Sequence, residues 1–497
     1  MNKNKLPVKH LIIKLVILVT AIAVYLPLPA QYVFNLKQAI AYGMEHSPSA
    51  RSIRASYNSA EWNYITARSA LLPSLNLNGN IPGLSRTFIP VTLPDGSLSF
   101  RYQSTAYSTG SLSINQNITP TGGNLFISSG LSRIDQLGNN PTATWSAFPL
   151  EFGLSQPLFR VNRLRWDWKQ AKQWYEYAQR QSTEAMEDLS ITITNAFFNF
   201  YIAQKQLANA ELNAAINDTL YKVAEGRFSV GKIAENEKLQ AELNLMNARN
   251  SVDQVRIQSL TAEKRLKNLL GVPETQKIEV IYEETIPIYQ VDIDKALLEA
   301  RENRSDYVSF KIRETDADID IRTAQAARGF TGDLTVRYGL TNSAPTLDEA
   351  YKDMRSSEQL TVGFSLPLVT FGRNKAAYMV AKNNKESITA QNENTRNNLE
   401  LEIMNNVLQF NQLKQILIIS AKSDTIARQR YDISTKRFIL GKIDLTNLTI
   451  AQNEKDMALI NYIENLRNFW VSYYQLRRLT LFDFETGNKI KFNDGIL

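Results

Sequence analysis

The chain has 497 residues, 43% of them hydrophobic, with no cysteine and two histidines. That composition excludes disulfides, thiolate metal sites and a cysteine nucleophile, and leaves little for a histidine-based metal or catalytic centre. The formal charge is +7, but four of the 56 basic residues and none of the 49 acids fall within residues 1–30.

Those 30 residues read as a cleaved secretory signal. Lys3, Lys5, Lys9 and Lys14 lead into the apolar run Leu15 to Leu26, and Leu28-Pro29-Ala30 places a small residue before Gln31. The run is shorter than the roughly 20 residues a spanning helix needs. Removing the segment leaves 52 basic against 49 acidic residues, a net of +3. No concentrated basic face of the kind nucleic acid requires is visible. No later run of about 18 apolar residues follows, so a membrane role would have to use strands.

A helix is predicted from Leu36 to Leu72, interrupted at Ser47-Pro48 just after His46. Leu75 and Leu77 then alternate with Asn76 and Asn78, the period of a strand. Residues 78–147 are rich in Ser, Thr, Gly, Asn and Pro and read either as a loop or as an extra hairpin, since Leu112 and Ile114 alternate with Ser111 and Ser113. Leu150, Phe152 and Leu154 alternate with Glu151, Gly153 and Ser155.

From Arg163 to Glu225 there is neither Gly nor Pro, which predicts a helix over 163–229. At 1.5 Å per residue its uninterrupted part is roughly 95 Å long. Leu189, Ile193, Ala196, Phe200, Ala203, Leu207, Ala210 and Ala214 step by fours and threes. That seven-residue period winds packed helices into a left-handed supercoil. Trp166, Trp168 and Trp174 open this helix, where a membrane interface or helix packing would use them. A helix over 234–270 and a linker over 271–292 follow.

The second half repeats the order. A helix is predicted over about 294–328. Leu334, Val336, Tyr338 and Leu340 form one alternating strand, and Leu360, Val362, Phe364 and Leu366 form another. No Gly or Pro lies between Arg373 and Leu440, predicting a helix over 373–440 of roughly 100 Å. A helix over 444–479 and a tail over 481–497 close the chain.

The halves are related in sequence. Leu150-Glu-Phe-Gly-Leu-Ser-Gln-Pro-Leu158 matches Leu360-Thr-Val-Gly-Phe-Ser-Leu-Pro-Leu368 at a shift of 210. Arg227-Phe-Ser-Val-Gly-Lys-Ile233 matches Arg437-Phe-Ile-Leu-Gly-Lys-Ile443 at the same shift. Upstream, Leu36-Lys-Gln-Ala-Ile-Ala41 resembles Ile293-Asp-Lys-Ala-Leu-Leu298 at a shift of 257, so the first half holds 47 more residues before its Gly-x-Ser-x-Pro strand. The units are therefore 31–270 and 293–480, as two tandem repeats. The two clear strand pairs give four strands per chain. Because a barrel must close to remove its edges, several chains would have to share one.

Helix, strands, very long helix, turn and helix, given twice with twin Gly-x-Ser-x-Pro strands and twin Arg-Phe-x-x-Gly-Lys-Ile turns, resemble the TolC-like outer-membrane efflux proteins. The resemblance covers nearly the whole chain after the signal. It implies a mixed α+β membrane protein. A homotrimer would form a 12-stranded outer-membrane β-barrel in lipid, continued by a 12-helix coiled-coil periplasmic tunnel. It further implies a lower end that opens near the turns, a periplasmic adaptor and an inner-membrane transporter as partners, no cofactor, no enzymatic activity and no nucleic acid.

The same resemblance places the adaptor's tip on the turns, at Arg227, Gly231, Lys232, Ile233, Arg437, Gly441, Lys442 and Ile443. Read from the residues alone, Gly231 and Gly441 end helices and the four basic residues complement helix C-termini. Family members often carry an acidic ring at the closed end. The matching positions here hold Asn447 and Ile450. Asp444 and Glu237 are the acids nearby, so the gate candidates are Asp444, Asn447 and Glu237, with Asp444 also readable as a helix N-cap. Gly226-Arg-Phe-Ser-Val-Gly231-Lys232-Ile233 nearly spells a phosphate-binding loop, but Ile233 replaces the magnesium-binding hydroxyl and no strand precedes it.

The expected function is passive conduction of cargo from an adaptor and inner-membrane pump to the exterior. The alternatives are a type I protein-secretion conduit and, in a different class, a periplasmic coiled-coil adaptor or scaffold. A secreted hydrolase would need a nucleophile or carboxylate constellation that the sequence does not offer. Scarce His and Met argue against copper or silver as cargo.

Overall fold

The computed structural model describes residues 32–138, 141–287, 289–440 and 442–492. The expected signal segment 1–30, Gly441 and the last five residues of the expected tail lie outside the described residues.

The chain begins with β1 (Tyr32–Phe34), α1 (Leu36–His46) and α2 (Pro48–Ser69). Asn35 starts α1 with a reciprocal cap. Its Oδ1 accepts from the Gln38 backbone at 2.8 Å, and the Gln38 side chain accepts from the Asn35 backbone at 3.1 Å. The break between α1 and α2 falls at Ser47-Pro48, because a residue before proline is pushed out of helical geometry. Four strands follow: β2 (Ser74–Thr92), β3 (Leu98–Ile118), β4 (Gly123–Leu137) and β5 (Thr142–Leu158). Then come α3 (Arg163–Ser229), α4 (Glu235–Leu270) and β6 (Ile278–Val280).

The second half runs α5 (Ile293–Asn303), α6 (Ser305–Ala326), β7 (Thr331–Ala344), the single turn α7 (Leu347–Ala350), β8 (Arg355–Ser365), α8 (Arg373–Ile439) and α9 (Leu445–Thr480). It closes with the short β9 (Phe482–Asp483) and β10 (Asn488–Lys489). α3 and α8 are each 67 residues long, and α4 and α9 are each 36. The helix expected over 294–328 is divided at Arg304, whose ψ of 147° is extended. Arg304 stands at the position matching Ser47, but no proline marks the break. Among the described residues no helix is long and apolar enough to cross a membrane.

Six strands form one sheet in the order β2-β3-β4-β5-β7-β8, every neighbour antiparallel. The expectation of four strands per chain is therefore corrected to six. The 47 additional residues are not a loop: they supply β3 and β4, inserted between the strands that correspond to β7 and β8. Polar Ser, Thr and Asn between the apolar positions hid them as strands, because composition alone reads such a stretch as loop.

The chain forms two compact units. One holds the sheet and comprises Tyr57–Gln179 and Ser305–Asn398. The other comprises residues up to Ser56, Arg180–Arg304 and Leu399 onward, and is helical apart from two small ribbons. In the helical unit the seven-residue stripe of α3 is buried at Leu189, Ile193, Phe200, Ala203 and Ala210. Ile403, Phe410 and Leu417 of α8 and Ile463, Leu466, Phe469 and Trp470 of α9 are buried in the same unit. Burying such side chains contributes roughly 1.5–3 kcal/mol each. Trp470 Nε1 donates to the Tyr282 hydroxyl at 3.1 Å, and burial pushes that phenol up to about 12, so it stays neutral.

A charged cluster lies inside this core. Glu187 is 2% exposed. Arg477 clamps its carboxylate with Nη2 at 2.9 Å and Nε at 3.0 Å, and reaches Asp483 with Nη1 at 2.9 Å. Burial pushes Glu187 above the ordinary carboxylate range, against the opposing pull of Arg477. The fork geometry of arginine suits this two-point grip.

Candidate functional site

The sheet has two chemically different faces. Directly paired residues in antiparallel strands share a face, so the register traces each face across all six strands. Leu77 pairs with Leu112, Leu75 with Ile114, Ile114 with Ile127, Ile127 with Phe152, Phe152 with Tyr338, and Val336 with Leu360. This face is largely apolar, interrupted by Gln116, Ser129 and Glu358, and its apolar side chains stand in the open, Leu77 at 80% and Phe364 at 75% exposure. The opposite face pairs Asn76 with Ser113, Ser113 with Ser128, Ser128 with Glu151, Glu151 with Gly339, and Thr335 with Thr361. A sheet that is apolar on one side and polar on the other suits lipid outside and water inside.

The polar face also carries aromatic rings, which lie flat. Phe126 covers Gly153, Phe148 covers Gly130 and Tyr107 covers Gly83, each ring filling the space a Cβ would occupy. Arg337 sits over Phe126 at 5.3 Å and lies 3.7 Å from Glu151. Gly153 and Gly363 match in sequence, but no ring covers Gly363. Gly153→Ala is therefore expected to cost about 1–3 kcal/mol and Gly363→Ala about 0.5 kcal/mol or less. Thermal unfolding of the two variants checks this, and adding Phe126→Ala to Gly153→Ala should recover part of the loss.

At the helix-side end of the sheet, a cavity of about 850 Å³ is lined by Arg160, Arg165, Trp166, Trp168, Lys169 and Arg322, among others. Lys169 and Arg322 stack on Trp166 at 5.0 and 5.5 Å, and Lys172 on Trp168 at 4.7 Å. Basic side chains gathered on indoles at the edge of an apolar band fit a headgroup layer. Trp174, the third tryptophan of this segment, stands 51% exposed beside Tyr177.

The two turns lie in the helical unit. Gly231 takes φ of +67°. Its N–H donates to the Phe228 carbonyl at 2.9 Å, and the Lys232 N–H donates to the Arg227 carbonyl at 2.9 Å. That pair of bonds ends a helix on a left-handed residue, which glycine adopts without a Cβ penalty. In the second turn Lys442 N–H donates to the Arg437 carbonyl at 2.9 Å. Arg227, Lys232, Arg437 and Lys442 are all exposed, and Ile233 and Ile443 are half-buried. Ile443 and Phe438 pack with Tyr431, Leu448 and Ala451 against Ile216 and Leu220 of α3. Gly231→Ala is expected to destabilise by about 1–2 kcal/mol, and Gly231→Asn by less, in thermal melts followed at the helix band.

Among the gate candidates, Asp444 caps α9. Its Oδ1 accepts from the Asn447 backbone at 2.8 Å and from the Asn447 side chain at 2.9 Å. Glu237 is exposed in the first turn of α4, where a negative charge complements the helix N-terminus. Asp444 and Asn447 thus engage each other, while Glu237 stands on the other turn. The sequence reading missed the ring-on-glycine pairs and the Glu187–Arg477 clamp. Isolated glycines inside alternating strands were the available signal for the first; residues 290 positions apart in sequence left none for the second.

The sequence matches the family model for outer membrane efflux proteins over residues 94–272 and 296–480. It is 21% identical over 295 residues to toxin and drug export protein A of Aggregatibacter actinomycetemcomitans. That match spans 57% of this chain and 63% of the relative, so it falls short of two thirds of the relative's length. In structure, the chain is similar to the CmeC outer membrane channel of Campylobacter jejuni, with a TM-score of 0.65, 16% identity and coverage of 92% and 87% of the two chains. It is also similar to the MtrE outer membrane channel of Neisseria gonorrhoeae, with a TM-score of 0.62, 18% identity and coverage of 93% and 91%. The fold is that of these channels, and the family match extends over both halves: the chain belongs to the outer membrane efflux protein family.

Proposed function

We propose that three copies of this chain assemble into a passive export conduit fed from the periplasm by an adaptor and an inner-membrane pump. As a member of its family, the protein resides in the outer membrane and extends into the periplasm. The observation that carries the conduit reading is the sheet with one apolar and one polar face and two open edges. Open edges in lipid leave backbone groups without partners, so the sheet must close on further copies.

The helices support assembly. Leu401, Leu408, Ile419, Ile426 and Ile433 of α8 stand exposed, largely at seven-residue steps, while a different stripe of the same helix is buried. A second apolar stripe of this kind is covered when neighbouring helices pack into a larger bundle. Residues 31–270 and 293–480 act as two copies of one unit, each supplying a 67-residue and a 36-residue helix.

In this reading the adaptor's tip meets the turns at Arg227, Gly231, Lys232, Ile233, Arg437, Gly441, Lys442 and Ile443. Asp444, Asn447 and Glu237 flank the closing point. For cargo, the first reading is small amphiphilic molecules, in keeping with the drug export in the relative's name. Export of a polypeptide is the second reading, favoured by the toxin-export relative. In-cell photocrosslinking from Lys232 and from Lys442, read by mass spectrometry, tests the docking. Capture of one periplasmic adaptor from both sites is expected. Capture of no envelope protein from either, with the chain present in the outer membrane, overturns the tripartite assignment.

A further inference from the structure

We infer that the hairpin β3–β4 is part of the barrel wall, so that three copies close an eighteen-stranded barrel rather than a twelve-stranded one. The inference rests on the trimeric conduit proposed above and fixes its width.

The hairpin is hydrogen-bonded into the sheet on both sides. β3 pairs with β2 from Ser74↔Asn115 to Thr92↔Leu98, and β4 pairs with β5 from Asn124↔Ser155 to Gln136↔Thr142. Its two faces continue those of its neighbours. Leu112, Ile114, Leu125 and Ile127 extend the apolar side, and Ser111, Ser113, Asn124 and Ser128 extend the polar side. A hairpin folded over the barrel mouth would have no need to match either face. The seams are also pinned by side chains. All three ring-on-glycine contacts fall where the hairpin meets its neighbours: Tyr107 on Gly83 at the first seam, Phe126 on Gly153 and Phe148 on Gly130 at the second. Such contacts fix strand register.

The helix-side turn of the hairpin is anchored as well. Asn162 Nδ2 donates to the Thr119 and Pro120 carbonyls at 2.8 and 3.1 Å, while Asn162 Oδ1 accepts from the Arg165 backbone at 3.0 Å at the start of α3. Gln116 and Asn117 donate to the Leu71 and Ala70 carbonyls at 2.9 Å each, just beyond α2. The turn is thus tied to the segments that join the sheet to helices on both sides.

Strand parity permits closure. Six alternating strands leave β8 antiparallel to the β2 of a neighbouring copy, so the seam between copies has the same geometry as every seam within one. A single extra strand would have broken that alternation; two do not. Three six-stranded sheets make eighteen strands. With strands about 4.8 Å apart and tilted about 40°, the backbone diameter is about 36 Å, against about 24 Å for twelve. The lumen cross-section is then about twofold larger, in the range of barrels that hold an aqueous channel. Its wall is mostly Asn, Ser and Thr, so it admits bulkier cargo with little selection by charge.

Electron microscopy of the full chain, extracted from outer membranes in detergent, tests this by counting copies and strands. Three copies with eighteen strands are expected. Three copies with twelve strands and the hairpin outside the wall would overturn this inference and leave the conduit standing. Two copies, or no closed barrel, would overturn both. Disulfide capture gives an independent readout, since the chain has no cysteine of its own. Leu77→Cys with Leu112→Cys should oxidise and resist alkylation, because the two residues are directly paired. Leu77→Cys with Phe152→Cys should remain open to alkylation, because two strands keep them about 14 Å apart. The reverse pattern would place β2 beside β5 and expel the hairpin.

Discussion

Arg477→Ala is expected to destabilise the folded protein by about 3 kcal/mol. The residue grips Glu187 at two points, and Glu187 is 2% exposed. Removing one partner of a buried pair leaves the other charge without water or counter-ion, which costs about 3–5 kcal/mol. Arg477 keeps a 20% exposed side chain, so water can reach part of the gap and the lower figure applies. Asp483 loses its ion-pair partner in the same step and keeps the hydrogen bond from the Glu485 backbone. The double variant Glu187→Gln with Arg477→Met should recover the part of the loss that Glu187 causes, while Asp483 still lacks its arginine. Thermal unfolding of the detergent-solubilised protein measures both. Equal losses in the single and double variants would mean that packing, not charge, sets the cost.

Phe152→Arg is expected to cost about 2–4 kcal/mol in the membrane, whereas Ser155→Arg should be close to neutral. Phe152 lies on the apolar face between Ile127 and Tyr338, and Ser155 on the polar face beside Thr335. The two sites are three residues apart on one strand, so β5 itself is equally strained by either change. Only the solvent that each face meets differs. The readout is the amount of folded protein recovered in outer membranes. Equal recovery of the two variants would mean that both faces meet the same medium.

Much of this fold was legible because periodicity is strong where burial is one-sided. The long helices announce themselves by long runs without Gly or Pro, Arg163 to Glu225 and Arg373 to Leu440, and by Leu189, Ile193, Phe200 and Ala203 on a seven-residue period. The strand containing Phe152 and the one containing Val362 show clean alternation. β3 and β4 were harder to read, because stretches such as Ser104 to Ser111 hold only polar and small residues apart from Tyr107. Their place in the sheet depends on pairing with β2 and β5, which no local pattern encodes. The division at Arg304 had no local signal: it falls at a 7% exposed arginine, with no proline to mark it.

The turns were legible as helix endings from Gly231 and its neighbours. The N-cap role of Asp444 was readable from its place before the helix, and its bonds to Asn447 add what the sequence could not supply. The ring-on-glycine contacts required knowing which glycine faces which ring across a seam, and that is a property of register.

The central claim is that one face of the sheet meets lipid and the other meets water. Single cysteines in this cysteine-free chain test it most directly. They would be placed at Leu77, Ile127, Phe152 and Leu360 on one face and at Asn78, Ser128, Ser155 and Thr361 on the other. Outer membranes would then be treated with a charged, water-soluble maleimide. Labelling of the second set and protection of the first is the predicted result. Equal labelling of both sets would contradict a barrel wall.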